Sequence, residues 1–273
     1  MPDQLQKCAA FADLHLRDEA WLIPNPWDIG SARVLQGLGF QALATTSSGF
    51  AFTLGRADGT VTLDEKLQHC RELSAAVTIP VNADFENGFS DDRQIMQANI
   101  QRLLETGIAG LSIEDFSRDE KRLYDFAEAT DRIAAAVEAV KGSGIPVLLT
   151  ARAENLIRGS DDLEDTVKRL QAYEAAGADV LYAPGLMALR QVREVAAEVS
   201  LPLNVLAPFI RNASVAQLSE AGATRISTGG ALTWASLNPL LMAGKEMLEK
   251  GSFDWLGQMA KGTEIQSLLK PPQ

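Results

Sequence analysis

The chain has 273 residues, is 46% hydrophobic and carries a formal net charge of -11. That length and apolar content suit one barrel-sized domain or two smaller ones, and they exclude a disordered chain. The acidic balance argues against a nucleic-acid surface, which needs clustered Lys and Arg, but it leaves room for a small anionic ligand because a site sets its own local field.

In chain order, residues 1–20 open with "MPDQLQKCAAFADLHLRDE", which reads as an amphipathic helix without the apolar core of a signal peptide. No apolar run reaches bilayer length, so no membrane partner is expected. Cys8 and Cys70 have no partner motif. A reducing, cytoplasmic compartment is therefore expected.

Eight strand candidates follow, beginning near Trp21, Ala42, Ile79, Gly110, Ile145, Val180, Leu201 and Arg225. Four of them share one shape: a helical stretch, a Gly stop, then an apolar strand. The stops are Gly39, Gly107, Gly177 and Gly222, where the residue after a helix end needs positive φ. Three others open on Ile-Pro or Leu-Pro, with Pro expected at the strand's first position. Helical patterns such as "DDLEDTVKRLQAYEAAG" lie between most of them. Eight strands alternating with helices in one chain predict an α/β fold, a (β/α)8 TIM barrel formed by a single domain over residues 1–273. An open doubly wound sheet is the alternative, but no Gly-rich fingerprint follows the first strand. A helical extension is expected over about 245–273, packed on or exchanged with a neighbouring subunit.

In a barrel the active site forms at the strands' C-terminal ends. The polar residues expected there are Asn25, Thr46, Ser47, Ser48, Asn82, Asp84, Glu86, Glu114, Asp115, Thr150, Arg152, Glu154 and Asn204. Asn82, Asp84 and Glu86 stand two apart and would share one strand face. Carboxylates with no His nearby suit a hard cation such as Mg²⁺. From spacing alone, the alternative is that Asp84 and Glu114 are structural carboxylates paired with Arg152.

The stretches "TTSSGFAFTLGRAD", "PVNADFENGF", "GIAGLSIEDF", "LLTARAENLIRG" and "AYEAAGADVLYAPGL" carry a resemblance to the isocitrate lyase/phosphoenolpyruvate mutase superfamily. It covers about Pro26 to Leu240. The resemblance implies a Mg²⁺-dependent barrel enzyme, with Mn²⁺ as an alternative ion, acting on small anionic 2-oxo or 2-hydroxy acids. It also implies a homo-oligomer, dimer or tetramer. Asp58, Asp84 and Glu114 match the family's metal-site carboxylates, with Asn82 and Glu86 behind them. Asn82 stands where many members carry another Asp. Thr46, Ser47 and Ser48 match the turn that holds the substrate carboxylate, and Arg152 matches the arginine on the same substrate; Asn204 is a further candidate contact.

The departures bear on the reaction. The segment "EDFSRDEKRLYDFAEATDRI" has neither the Cys-His motif of the isocitrate lyases nor the Asn-Ser pair of the phosphonopyruvate mutases. Tyr124 is the candidate proton donor in that loop, with Lys121 and Arg122 read as a charged surface run. Decarboxylation needs no acid to begin. The expected function is thus a lyase or decarboxylase that cleaves a C–C bond of a small oxo or hydroxy (di)acid through an enolate. The alternatives are a P–C mutase or hydrolase and a silent oxo-acid binder.

Overall fold

The computed structural model describes residues 2–270. Its large sheet has eight parallel strands: β1 (Trp21–Ile23), β2 (Leu43–Ala44), β3 (Val81–Asp84), β4 (Gly110–Glu114), β5 (Leu148–Arg152), β6 (Val180–Tyr182), β7 (Leu203–Leu206) and β8 (Arg225–Ser227). They pair in ring order, β1 to β8, β8 to β7 and on around to β2. Between β1 and β2 the Ala44 N–H donates to the Pro24 carbonyl at 3.0 Å, which nearly closes the barrel. Helices surround the ring, as the alternating pattern predicts, and the open-sheet alternative is set aside.

The helix stops have the expected cause. Gly39, Gly107, Gly177 and Gly222 have φ of 101°, 84°, 97° and 101°, a region that costs any side chain energy. The proline expectation needs a correction. Pro80, Pro146 and Pro202 precede their strands, which begin at Val81, Leu148 and Leu203. A proline has no N–H to give the ladder, so pairing starts after it.

The first helix, Gln4–Leu14, is capped by Asp3, whose side chain accepts from the Gln6 N–H. It buries Phe11 and Leu14 against the barrel. Phe11 comes so close to β4 that a Cβ on Gly110 would lie 2.5 Å from its ring. Lys7 fixes the helix by donating to the carbonyls of Ser74 and Val77 at 2.6 and 2.8 Å.

The C-terminal segment follows β8. One helix runs Ala231–Lys250 through Pro239, a turn follows at Asp254–Gln258, and a last helix spans Gly262–Leu268. That last helix returns to its own barrel. It packs on the helix Ile29–Gly37, where a Cβ on Gly37 would lie 2.4 Å from the Leu268 carbonyl oxygen. The long helix does the opposite and leaves Trp234, Leu240, Leu241, Met242 and Leu248 more than half exposed. The rest of the predicted extension, 271–273, lies outside the described residues. Among those residues no helix is long and apolar enough to cross a membrane.

Candidate active site

The strands' C-terminal ends surround a cavity of about 170 Å³. That is below the roughly 300–1,000 Å³ of drug-sized sites and leaves room for a ligand of a few carbons. Thr46, Ser47 and Ser48 form one wall. Asp58, Asn82, Asp84, Arg152 and Asn204 also line it. Glu114 stands just behind, bonded to Arg152.

Arg152, at the end of β5, is the centre of the site. Its Nη1 donates to Asp84 Oδ1 at 2.7 Å. Its Nε and Nη2 meet Glu154 Oε1 at 3.1 and 2.8 Å, and Nη2 lies 3.2 Å from Glu114. The ring of Tyr182 lies 5.2 Å away. Burial alone would pull the guanidinium down, but Glu154, Glu114 and Asp84 outweigh it and hold it well above its usual range. For Asp84 burial pushes the carboxyl up, and Arg152 and then Lys66 reverse that, leaving it below its usual range. Glu114 goes the other way: burial and then Glu154 push it well up. The ion pairs that spacing alone allowed are thus present, the Asp84 pair on the pocket wall and the Glu114 pair reaching Arg152 from just behind it.

The wall on the other side of Asp84 comes from two backbones in close approach. Thr46 caps the short helix Ser47–Thr53, and Ser47 N–H donates to Asp84 Oδ2 at 3.1 Å. A Cβ on Gly230 would lie 2.5 Å from Ser48 Oγ, and one on Gly49 would lie 2.5 Å from Thr233 Oγ1. Asn25 joins these loops: its Oδ1 accepts from the Thr228 and Gly229 N–H groups, and its Nδ2 donates to the Thr45 carbonyl.

Two candidates lie elsewhere. Glu86 follows the end of β3 with φ 48°, which breaks the strand's alternation. It leaves the pocket lining and pairs with Arg118 at 3.4 Å. Burial lifts its carboxyl to about 7 despite Arg118. Tyr124 is fully buried away from the cavity. Its hydroxyl bonds Asp91 and accepts from Asn87 Nδ2 at 2.9 Å, and Arg132 stacks 4.3 Å from its ring. The loop before it folds into a small hairpin, Phe116–Ser117 with Arg122–Leu123, whose charges pair on the surface. The candidate proton donor is therefore a packing residue. Tyr124→Phe is expected to leave kcat within about threefold of wild type, as for residues away from the reacting atoms. Its cost is in stability, about 1–2 kcal/mol for the lost bond to a charged partner. A kcat fall of about 100-fold, the scale of a lost general acid, would restore it to the mechanism.

Sequence reasoning missed Arg118, Arg158 and Arg225. Arg118 donates to the Gly59 and Val61 carbonyls at 2.8 Å each and so fastens the segment that carries Asp58. Arg158 lies 3.4 Å from Glu114 and 3.0 Å from Glu154. Arg225 lines the floor of the cavity. Its signal was available: it stands two before Ser227 on one strand, which gives both the same face.

The donors around Asp84 fit a hard cation. Asp58 and Asp84 face one cavity and offer only oxygen. Among the described residues no three His, Cys, Asp or Glu side chains converge as a ready cage. Mg²⁺ does not need one, because it keeps several waters and is held through one or two carboxylates.

Residues 11–248 match the family of phosphoenolpyruvate phosphomutase. A solved protein from Burkholderia cenocepacia J2315, provisionally assigned as a lyase/mutase, superposes with a TM-score of 0.92 at 42% identity, over 96% of each chain. Solved 2,3-dimethylmalate lyase, a PEP mutase/isocitrate lyase superfamily member, has a TM-score of 0.84 at 26% identity, over 98% of this chain and 95% of that one. An oxaloacetate decarboxylase of Bradyrhizobium sp. strain BTAi1 is 31% identical over 185 residues, 65% of this chain and 62% of the relative.

Proposed function

The chain belongs to the phosphoenolpyruvate phosphomutase family, within the PEP mutase/isocitrate lyase superfamily, and on that premise we propose that it is a C–C lyase of small 2-oxo or 2-hydroxy diacids, acting foremost as a decarboxylase. The observation that carries this reading is a cationic Arg152, fixed by three carboxylates, in a small pocket whose described lining includes no His and no Cys. A retro-aldol lyase or a mutase needs a proton-transfer or phosphoryl-handling group. Loss of CO₂ needs neither.

The chemistry follows from the wall residues. In a four-carbon 2-oxo diacid the carboxylate β to the keto group leaves as CO₂, and the electron pair of the broken bond moves to the keto oxygen. Arg152 stabilises that developing oxyanion with its charge in a site screened from water. Ser47, Ser48 and Thr46 hold the substrate's carboxylate and so fix its orientation. Water protonates the enolate carbon after CO₂ has left. Asp84, with Asp58 and Glu114 near it and Asn82 beside it, would hold a Mg²⁺ or Mn²⁺ ion, which would supply Lewis-acid polarisation of the keto oxygen.

The test is a panel of oxo and hydroxy diacids and phosphonopyruvate, incubated with Mg²⁺ and followed for CO₂, pyruvate, glyoxylate and phosphate. CO₂ and pyruvate release is expected. Phosphate release instead points to P–C chemistry, and no product at all points to the silent binder; either outcome overturns the reading.

We also propose a cytoplasmic homo-oligomer, a dimer or tetramer. Buried, free Cys8 and Cys70 support the reducing compartment. The exposed apolar face of Ala231–Lys250 supports assembly, because so large a patch marks an interaction surface. Light scattering at micromolar protein is expected to give a multiple of 29.4 kDa, and a monomer mass would contradict it.

A further inference from the structure

Every arginine at the mouth of the site is matched by an acid. Arg152 has Asp84, Glu114 and Glu154; Arg158 has Glu114 and Glu154; Arg118 has Glu86. Arg225 is different. It is 3% exposed, and among the described residues no carboxylate lies within ion-pair distance of it. Its Nε donates to Asn204 Oδ1 at 2.8 Å and its Nη2 to Thr150 Oγ1 at 3.0 Å. Its Nη1 lies 3.3 Å from His15 Nε2. His15 Nδ1 sits 2.8 Å from the Phe11 carbonyl, which can only accept. So Nδ1 carries the proton, and Nε2 accepts from Arg225. Burial then holds His15 down at about 3, as a neutral ring.

All of these partners are neutral. A guanidinium has five N–H groups, and three are committed here, which leaves two. A buried charge without a counter-charge is expensive, and burial pulls this guanidinium down to about 9. The cost has a use only if the missing anion arrives from outside. The route is open, since Arg225 lines the floor of the cavity whose upper wall holds Arg152. The two acids in that lining, Asp58 and Asp84, belong to the mouth. Thr150 stands two residues before Arg152 on β5, so its partner Arg225 is one inward-facing layer deeper.

We propose that Arg225 is a second anion-binding residue, which takes one carboxylate of the substrate at the pocket floor while the Thr46–Ser48 turn holds the other. This rests on the diacid reading above and deepens it: the enzyme selects dicarboxylates over monocarboxylates because only a dicarboxylate can reach Arg225 at the floor and the Thr46–Ser48 turn at the same time. The specificity comes from charge count and depth, and a neutral or single-ended ligand forfeits it.

The test uses inert anions, so it does not depend on turnover. Malonate and acetate binding are measured by calorimetry on the full chain for wild type, Arg225→Lys and Arg225→Met, with melting curves to confirm folding. Arg225→Met is expected to weaken malonate by about 30-fold or more, the scale of a lost partner in a buried charge pair. Acetate, which can sit at the Thr46–Ser48 turn without Arg225, changes less. Arg225→Lys keeps the charge and loses the planar fork, so malonate weakens by about tenfold. If Arg225→Met does not fold, Arg225→Lys decides. Malonate affinity in a folded Arg225 variant equal to wild type overturns the proposal. Failure of the decarboxylase reading would look different: no product from any diacid, with Arg225-dependent malonate binding intact.

Discussion

Arg152→Lys is expected to lower kcat about 100-fold, the scale of one lost oxyanion-stabilising group, with a much smaller change in KM. The reason is shape. Arg152 reaches Glu154 through two nitrogens, at 3.1 and 2.8 Å, while also meeting Asp84 at 2.7 Å and Glu114 at 3.2 Å. A lysine has the charge but only one nitrogen on a flexible stem, so it cannot span three carboxylates. Whichever pairs it keeps, the charge moves off the place where the oxyanion forms. Steady-state kinetics at saturating Mg²⁺, beside melting curves, separate the two roles open to this residue. A lower melting temperature with unchanged kcat would make Arg152 a structural ion-pair residue, the reading that spacing alone allowed.

The barrel was legible because its signals are local. Four glycines after helices and three prolines before strands mark the ends of elements, and both act through backbone φ or a missing N–H, which no tertiary context alters. The site was legible to a depth of one layer. Alternation along β3 correctly sent Asn82 and Asp84 into the cavity. It failed at Glu86, where the backbone turns left-handed at φ 48° and the two-residue period stops. Arg225 was passed over for a different reason. It opens its strand on the face it shares with Ser227, a layer below the C-terminal ends where a barrel site is expected, and its guanidinium reaches Thr150 there. Tyr124 was misread because a charge run in sequence does not reveal that the chain reverses there as a hairpin.

Glu114 and Asp115 put the same lesson in energetic terms, and the second large prediction comes from them. They are neighbours in sequence, and both are carboxylates at the end of β4. Glu114 reaches Arg152 on the pocket wall. Asp115 leaves the strand on the other side and is buried at 2% exposure. There it accepts from Arg169 Nη1 at 3.0 Å, from the Tyr173 hydroxyl at 2.5 Å and from the Glu154 N–H at 2.7 Å. Arg169 and Tyr173 belong to the helix Leu163–Ala175, so one carboxylate ties that helix to the ends of β4 and β5. Asp115→Ala strands a buried guanidinium and a buried hydroxyl at once, and is expected to cost about 3–5 kcal/mol. That corresponds to a melting temperature lower by on the order of 10 °C. Asp115→Asn keeps one acceptor oxygen for Tyr173 and Arg169 and should cost less than Asp115→Ala, although its amide NH2 then faces the Glu154 N–H and that bond is lost with the charge. The folded fraction of either variant should still bind malonate, since Asp115 does not line the cavity. Thermal denaturation of both variants checks this. A melting temperature for Asp115→Ala within about 2 °C of wild type, under 1 kcal/mol for a chain of this size, would mean that the helix is held by its apolar face alone and that the carboxylate adds nothing.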